Sequence, residues 1–249
     1  MIFHDDFWQK RAKAYDKLHW QNRQEYLQFF IDACQLSGKE KVLDLGTGTG
    51  TVVFAIDSLA KQVTGVDLSP DMLRQAVKKN SRKNISFMRA DVRNLPFADD
   101  SFDRITARMV FHHLLWGINR AMGEIRRVLK PGGLFCLSEG VPPDRILETF
   151  YRDVFALKEK RKTFFPEDLE KIIKSGGLIL KESRNFYLKR CSIKNWLNNS
   201  GNLKKEIKEK IFSMHLNLSK EGKKAYNMEI KGNDCFIDMK FTVVTGSKI

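Results

Sequence analysis

Three glycines at alternate positions, Gly46, Gly48 and Gly50, constrain the fold more than any other feature of the chain. They follow a short apolar segment, K-V-L-D-L over 41–45, which predicts a buried parallel strand. An apolar pattern typical of a helix runs from Thr51 to Ala60. Because glycines let the backbone turn sharply and approach a ligand closely, strand, turn and helix together predict the opening of a nucleotide-binding βαβ unit.

The spacing of the glycines indicates which ligand the turn accepts. A dinucleotide fingerprint, G-x-G-x-x-G, would place its third glycine at position 51, where this chain has Thr51. Asp44 adds a carboxylate inside the predicted strand. A pyrophosphate gains nothing from that carboxylate, whereas a ligand with an ammonium group would pair with it. The pattern therefore disfavours a nicotinamide dehydrogenase.

Four segments, taken in order, resemble the motifs of class I S-adenosylmethionine (SAM) methyltransferases of the small-molecule, UbiE-like type. The resemblance spans roughly residues 8–141, and its segments are D-L-G-T-G-T-G (44–50), V-T-G-V-D-L-S (63–69), A-D-V-R-N-L-P-F-A-D-D-S-F-D (90–103) and E-I-R-R-V-L-K-P-G-G (124–133). It implies an α/β fold with a doubly wound, seven-stranded Rossmann-like sheet and a helical cap. Six strands would be parallel and the last antiparallel.

The resemblance also implies that SAM is the methyl donor and S-adenosylhomocysteine the product. Asp67 would accept hydrogen bonds from the ribose hydroxyls, and Asp91 would accept one from the adenine amino group. A turn-capping role is the alternative for Asp91. The other predicted cofactor contacts are Asp44, Gly46, Thr47, Gly48 and Gly50 around the turn, Leu68 and Met72 beside the adenine, Val92 through its amide, Arg108 and Met109 after the fourth strand, and Arg11 and Tyr15 of an N-terminal lid helix.

Candidate catalytic groups follow the predicted fourth and fifth strands, where ligands bind in open α/β sheets. They are His113, Glu139 and His112. Imidazole titrates near neutral pH and can act as a general base, and a carboxylate can orient the acceptor or take its proton. Packing beneath the cofactor, or capping of the next helix, is the alternative for the histidines. Methyl transfer is an in-line displacement that depends on orientation, and no metal site is predicted.

The predicted organisation is a single methyltransferase domain over 1–249. It comprises an N-terminal lid helix in 1–38, a SAM-binding core over 39–141, and helical cap insertions at 143–165 and 192–234. The second insertion is long for a loop between two strands, so we expect it to fold on itself, with helices over 193–199 and 203–218. The expected function is methyl transfer to a small or lipid-like, anionic metabolite beneath the cap (EC 2.1.1.-). A homodimer interface is the alternative role for the insertion.

The net charge of +14 is concentrated in the second part of the chain, where residues 151–249 carry 22 Lys or Arg against 12 acids. Two alternatives therefore stay open: an RNA or tRNA methyltransferase, and a non-catalytic SAM-binding module. Acids interleaved with the lysines predict a solvated surface.

No run approaches the ~20 apolar residues of a membrane span. The four cysteines form no C-x-x-C pair, which disfavours disulfides and zinc and fits a cytoplasmic protein.

Overall fold

The computed structural model describes residues 23–201 and 203–249, so the predicted lid residues Arg11 and Tyr15 lie outside the described residues. Seventeen helices and strands occur within the described ranges. The helices are α1 (Gln24–Ala33), α2 (Thr51–Ala55), α3 (Pro70–Lys79), α4 (Ile118–Val128), α5 (Glu148–Lys158), α6 (Pro166–Ser175), α7 (Ile193–Asn199), α8 (Lys205–Leu216) and α9 (Lys220–Ala225). The strands are β1 (Lys41–Leu45), β2 (Gln62–Asp67), β3 (Ile85–Arg89), β4 (Phe102–Arg108), β5 (Leu129–Val141), β6 (Ile179–Ser192), β7 (Glu229–Lys231) and β8 (Asp234–Ser247).

The strands form one mixed sheet in the order β3-β2-β1-β4-β5-β8-β6. The pairs from β3 to β5 are parallel, and β8 runs antiparallel to both β5 and β6. The chain first builds outward from β1 to β3 and then resumes on the other side of β1 with β4. This change of direction between β1 and β4 opens the crevice in which doubly wound folds bind their ligands.

The sheet has eight strands where seven were predicted. The seven strands of the main order have the predicted directions, and the additional strand is β7, which pairs with the start of β8. A hairpin joins them through Gly232, whose φ of +59° suits a tight turn. The three residues of β7 are all exposed, so they lack the apolar alternation from which a strand is predicted.

Both faces of the central sheet are buried, as parallel strands require. On β1, Val42 packs with Phe30 of α1 and Val53 of α2, whereas Leu43 packs on the opposite face with Met122 of α4. Since successive side chains of a strand point to opposite faces, the short apolar run of β1 supplies both layers of the core.

The predicted second insertion folds into α7, α8, α9 and β7, which is one helix and one strand more than expected. Together with α5 it encloses a separate apolar cluster around Val154, Trp196, Ile211 and Tyr226. The predicted helix over 51–60 is shorter than expected. It ends at Ala55, and a 3₁₀ turn over Asp57–Leu59 follows. Within the described ranges no helix combines the length and the apolar character needed to cross a bilayer.

Candidate active site

The glycine turn after β1 packs directly against the loop that follows β4. Gly46, Gly48 and Gly50 all have positive φ, at +60°, +56° and +90°. A Cβ on Gly46 would lie 2.5 Å from Val110 Cγ2, so this position has no room for a side chain. The Thr47 amide donates to the Val66 carbonyl at 2.9 Å and ties the turn to β2. The turn is thus a cradle that exposes backbone rather than side chains.

Asp67 ends β2 beside this turn. Its Oδ2 accepts a hydrogen bond from the Gly48 amide at 2.8 Å, and its Oδ1 accepts one from the Ser69 amide at 2.8 Å. Burial raises the pKa of Asp67, and these backbone hydrogen bonds oppose the rise. A carboxylate has about four acceptor positions, so these bonds leave capacity for a donor from a ligand. Met72 is buried in the following helix, which begins after the capping Ser69, and Leu68 is partly buried between them.

Asp44 lies in the middle of β1 and is only 2% exposed. Its Oδ1 accepts a hydrogen bond from Thr106 Oγ1 of the neighbouring strand at 2.7 Å. Burial raises the pKa of Asp44 to about 6, against the effects of this hydrogen bond and of the charge on Arg108. A desolvated carboxylate is stabilised by a cation. The site therefore fits the positively charged methionine end of SAM.

Asp91 follows β3 and forms a bidentate salt bridge with Arg93. Arg93 Nε donates to Oδ1 at 2.9 Å, and Nη2 donates to Oδ2 at 2.6 Å. The Arg93 amide also donates to Oδ1, at 2.9 Å, so the predicted turn-capping contact is present. These contacts lower the pKa of Asp91. The Arg93 guanidinium lies 3.8 Å from the Trp116 ring centroid, while Val92 is buried.

Two residues at the end of β4 approach the interior of the site. Met109 has a positive φ of +61°, which is uncommon outside glycine, and its Sδ accepts a hydrogen bond from the Gly140 amide at 3.1 Å. Arg108 lies 5.3 Å from the ring centroid of Tyr26 on α1. The strained backbone directs Met109 toward the cavity described below, which it lines.

The predicted catalytic residues His112 and Glu139 contact each other. His112 Nδ1 lies 2.6 Å from Glu139 Oε2, and Glu139 Oε1 accepts backbone hydrogen bonds from Val110, Phe111 and His112. Burial raises the pKa of Glu139 to about 7, opposed by the charge on Arg161. The His113 ring is 3.9 Å from the His112 ring, centroid to centroid.

A cavity begins at the C-terminal ends of β4 and β5 and extends beneath α5, α7 and α8, with Tyr226 directly after α9 also lining it. His112 and His113 line it together with Met109, whereas Glu139 lies behind them and is not a lining residue. Many of its lining side chains are aromatic, and three charged residues at the end of α5 also line it. The aromatic lining residues are Tyr151, Phe155, Trp196, Tyr226 and Phe241, and the charged ones at the end of α5 are Lys158, Glu159 and Arg161.

Sequence reasoning missed the charged residues of the cavity. The segment after α5 carries alternating charges and resembles a solvated surface. In the structure the Lys162 amide donates to the His112 carbonyl at 2.8 Å, and this bond anchors the segment over the site. The side chains of Lys158 and Arg161 are each 3% exposed. The signal for burial in the sequence is the pair of aromatic residues Tyr151 and Phe155, which lie on α5 directly before this charged segment.

Comparison with known proteins agrees with this geometry. A family model described as a methyltransferase domain matches residues 43–137. The uncharacterised methyltransferase YcgJ of Bacillus subtilis is 32% identical over 139 residues, or 54% of each chain. The ubiquinone/menaquinone biosynthesis C-methyltransferase UbiE of Desulfotalea psychrophila is 35% identical over 138 residues, or 53% of this chain and 54% of the relative. The chain thus spans about half the length of these curated relatives.

Most of the fold also has a counterpart among solved structures. The crystal structure of a putative methyltransferase from Bacillus halodurans superposes with a TM-score of 0.80 at 23% identity, and covers 90% of this chain and 99% of that chain. At this level of identity the likeness concerns the fold, and it extends beyond the matched core into the segment that forms the cap.

Proposed function

We propose that this chain transfers a methyl group from SAM to a small, largely apolar acceptor beneath its helical cap, because a methyltransferase-domain model matches residues 43–137 and a UbiE-type C-methyltransferase is 35% identical over 138 residues. One observation carries the proposal. The aromatic-lined cavity begins at Met109, Gly140 and the two histidines, at the same sheet edge as the glycine turn. A bound acceptor would there lie beside the methyl group and away from water.

The cofactor assignments follow from the contacts at the turn. SAM would lie across Gly46, Gly48 and Gly50, with its ribose on Asp67 and its methionine end toward Asp44. The sulfonium supplies an electrophilic methyl group. The residues of the chain hold it in line with the acceptor, and orientation of this kind lowers the barrier by about 7–11 kcal/mol in favourable cases.

Asp91 has less hydrogen-bonding capacity available for the cofactor. Arg93 and the turn amide occupy part of its acceptor capacity, so the adenine amino group would take a remaining lone pair. Leu68, Met72 and Val92 would form the apolar wall beside the adenine. Arg108 and Met109 would complete the methionine end.

His113 is the candidate general base, and His112 and Glu139 are its positioning residues. Glu139 makes no contact with the cavity, so it acts through His112, whose ring lies against the ring of His113. A base is required where the acceptor is a carbon or a protonated oxygen. The UbiE-type relative is named as a C-methyltransferase, which favours an acceptor of that kind.

Ion pairs weaken the RNA alternative, because several basic residues of the C-terminal half already have acidic partners. Lys189 lies 2.8 Å from Asp238 and Lys205 lies 3.8 Å from Glu209. An enclosed cavity also suits a small molecule better than a nucleotide held in a polymer.

The test is methyl transfer from isotopically labelled SAM to two acceptors, reduced demethylmenaquinone in detergent and bulk tRNA. The proposal predicts label in the detergent-soluble product, together with S-adenosylhomocysteine. Labelling of tRNA alone would favour the RNA alternative. SAM binding without any transfer to a wide panel of small acceptors would favour the non-catalytic module.

A further inference from the structure

Arg161 presents a buried hydrogen-bond donor to the acceptor cavity without a partner for it. Its side chain is 3% exposed and lines the cavity. Its Nε donates to the Lys162 carbonyl at 3.2 Å, whereas its Nη2 has no hydrogen-bond partner among the described residues. A buried charged donor without an acceptor is costly, so such a group indicates a ligand that supplies one.

The surroundings of Arg161 hold its guanidinium in place but give its Nη2 no hydrogen-bond acceptor. The group lies 4.1 Å from the Phe155 ring centroid, which fixes the plane of the fork. The nearest acid is Glu159, whose Oε1 lies 3.9 Å from Arg161 Nη1, beyond hydrogen-bond distance. The same oxygen lies 3.0 Å from Lys158 Nζ, so Lys158 competes for this single carboxylate.

Arg161 lies at the acceptor end of the site rather than at the methionine end of SAM. The charge on Arg161 opposes the burial-raised pKa values of Glu139 and Tyr151. At Asp44, the charge that opposes the burial-raised pKa is that of Arg108. A carboxylate of the cofactor would therefore meet Arg108, and Arg161 is left for the second substrate.

We propose that Arg161 binds an anionic oxygen of the methyl acceptor, a carboxylate or a phenolate, attached to an aromatic ring that packs among the ring side chains of the cap. This inference rests on the proposed function, because it concerns the second substrate of the same site. A planar guanidinium matches both oxyanions, and in a water-excluded cavity its hydrogen bonds to them are strong. The cavity then selects acceptors by charge as well as by shape.

The test compares two probes of the same shape, 2-naphthoate and neutral 2-naphthamide, by calorimetry on protein saturated with S-adenosylhomocysteine. Arg161→Met removes the donor at similar volume, Arg161→Lys keeps the charge but not the fork, and Lys160→Met removes an exposed cation from the same segment as the matched control. We expect the wild type and Lys160→Met to prefer naphthoate by roughly tenfold or more. We expect Arg161→Met to lose that preference and Arg161→Lys to retain part of it.

A second probe separates the two kinds of anion. 4-Nitrophenol becomes yellow on ionisation, so a site for phenolates would increase its absorbance on binding to the wild type but not to Arg161→Met. Naphthoate preference without this change assigns the site to carboxylates. A wild type without preference for either anion, or an Arg161→Met variant that keeps the wild-type preference, would overturn the inference.

The failure of this inference can be distinguished from that of the proposed function. Binding of S-adenosylhomocysteine is measured first in every variant, and Arg161→Met should bind it as the wild type does. Loss of cofactor binding in Arg161→Met alone would place Arg161 at the methionine end and contradict the inference. A wild type that does not bind S-adenosylhomocysteine would contradict the proposed function, and the two naphthalene probes would still test Arg161 on the free protein.

Discussion

His112 Nδ1 lies 2.6 Å from Glu139 Oε2, with both side chains closed off from solvent. The three backbone amides on Glu139 Oε1 fix the carboxyl group, so this group in turn fixes the plane of the imidazole. With Glu139 ionised, the Nδ1 proton of His112 donates to it, and the remaining ring nitrogen serves as an acceptor. The pair is therefore a rigid element beside His113, in which His112 lines the acceptor cavity and Glu139 does not.

Glu139→Gln should lower kcat by about tenfold to a hundredfold, because a small displacement of a positioned group can cost this much. The amide NH₂ would face His112 Nδ1 and force the proton of the ring onto the other nitrogen. Binding of SAM should change little, since Glu139 lies away from the glycine turn. The measurement is steady-state kinetics together with SAM calorimetry. An unchanged kcat in a folded variant would remove Glu139 from the mechanism.

Gly46→Ala should destabilise the protein and weaken SAM binding. The new Cβ would meet Val110 Cγ2 at 2.5 Å, at a backbone φ that disfavours side chains. Gly132→Ala is the matched control, because Gly132 also has a positive φ, +73°, but has nothing within 4 Å of the Cβ position. Chemical unfolding of both variants measures their loss of stability. Gly132→Ala gives the cost of a side chain at positive φ, about 1–2 kcal/mol, and any further loss in Gly46→Ala is the cost of the collision with Val110.

Rescue at the neighbouring position sharpens this prediction. The double variant Gly46→Ala with Val110→Ala should recover part of the lost stability, because the colliding methyl groups are gone. Equal destabilisation in Gly46→Ala and Gly132→Ala would show that the contact with Val110 has no effect on the turn.

His215 should make the stability of the cap pH-dependent. It is 2% exposed, its Nδ1 donates to the Ile211 carbonyl at 2.7 Å, and burial lowers its pKa to about 4. As the pH falls below the ordinary value near 6.5, the unfolded chain binds a proton that the folded chain does not. The contribution of His215 to the free energy of unfolding is therefore present above pH 6.5 and is lost toward pH 4, by up to about 3 kcal/mol.

His215→Phe tests this linkage, because it keeps a ring against Phe150 but cannot titrate. The difference in free energy of unfolding between wild type and variant, measured by urea denaturation from pH 4 to pH 7.5, should shift in favour of the variant as the pH falls. Taking the difference removes the opposite trend of Glu139, whose raised pKa favours the folded state below pH 7. A pH-independent difference would mean that His215 has the same pKa in the folded and the unfolded protein, and would contradict the prediction.

The sequence predicted the order of the sheet and the position of the glycine turn because both depend on local patterns. Apolar runs, glycine spacing and the cap at Ser69 act over a few residues. The contact between Glu139 and His112 joins residues 27 positions apart, and the strand and the loop that carry them meet only in the fold. Each residue was a candidate by itself, but their relation was not predictable.

Contacts within the cap were also not predictable from the sequence. Arg161 lies in the predicted cap insertion 143–165, but nothing in the sequence distinguishes it from its charged neighbours. The structure places it in a cavity that residues of α7 and α8, later in the chain, also line. For Asp91, the contact with Arg93 depends on side-chain conformations that no motif encodes. Tertiary packing, rather than local propensity, thus decides the burial of Arg161.

The most direct test of the account is the affinity of the protein for SAM, measured by calorimetry in the wild type, in Asp67→Asn and in Asp103→Asn. Asp103 provides the control because it pairs with Lys130 at 2.7 Å at the opposite end of the strands. We expect the wild type and Asp103→Asn to bind SAM with similar affinity, and Asp67→Asn to bind it more weakly by one to two orders of magnitude (~1.5–3 kcal/mol). Wild-type affinity in a folded Asp67→Asn, or no SAM binding by the wild type, would show that this turn and its carboxylate do not hold the methyl donor.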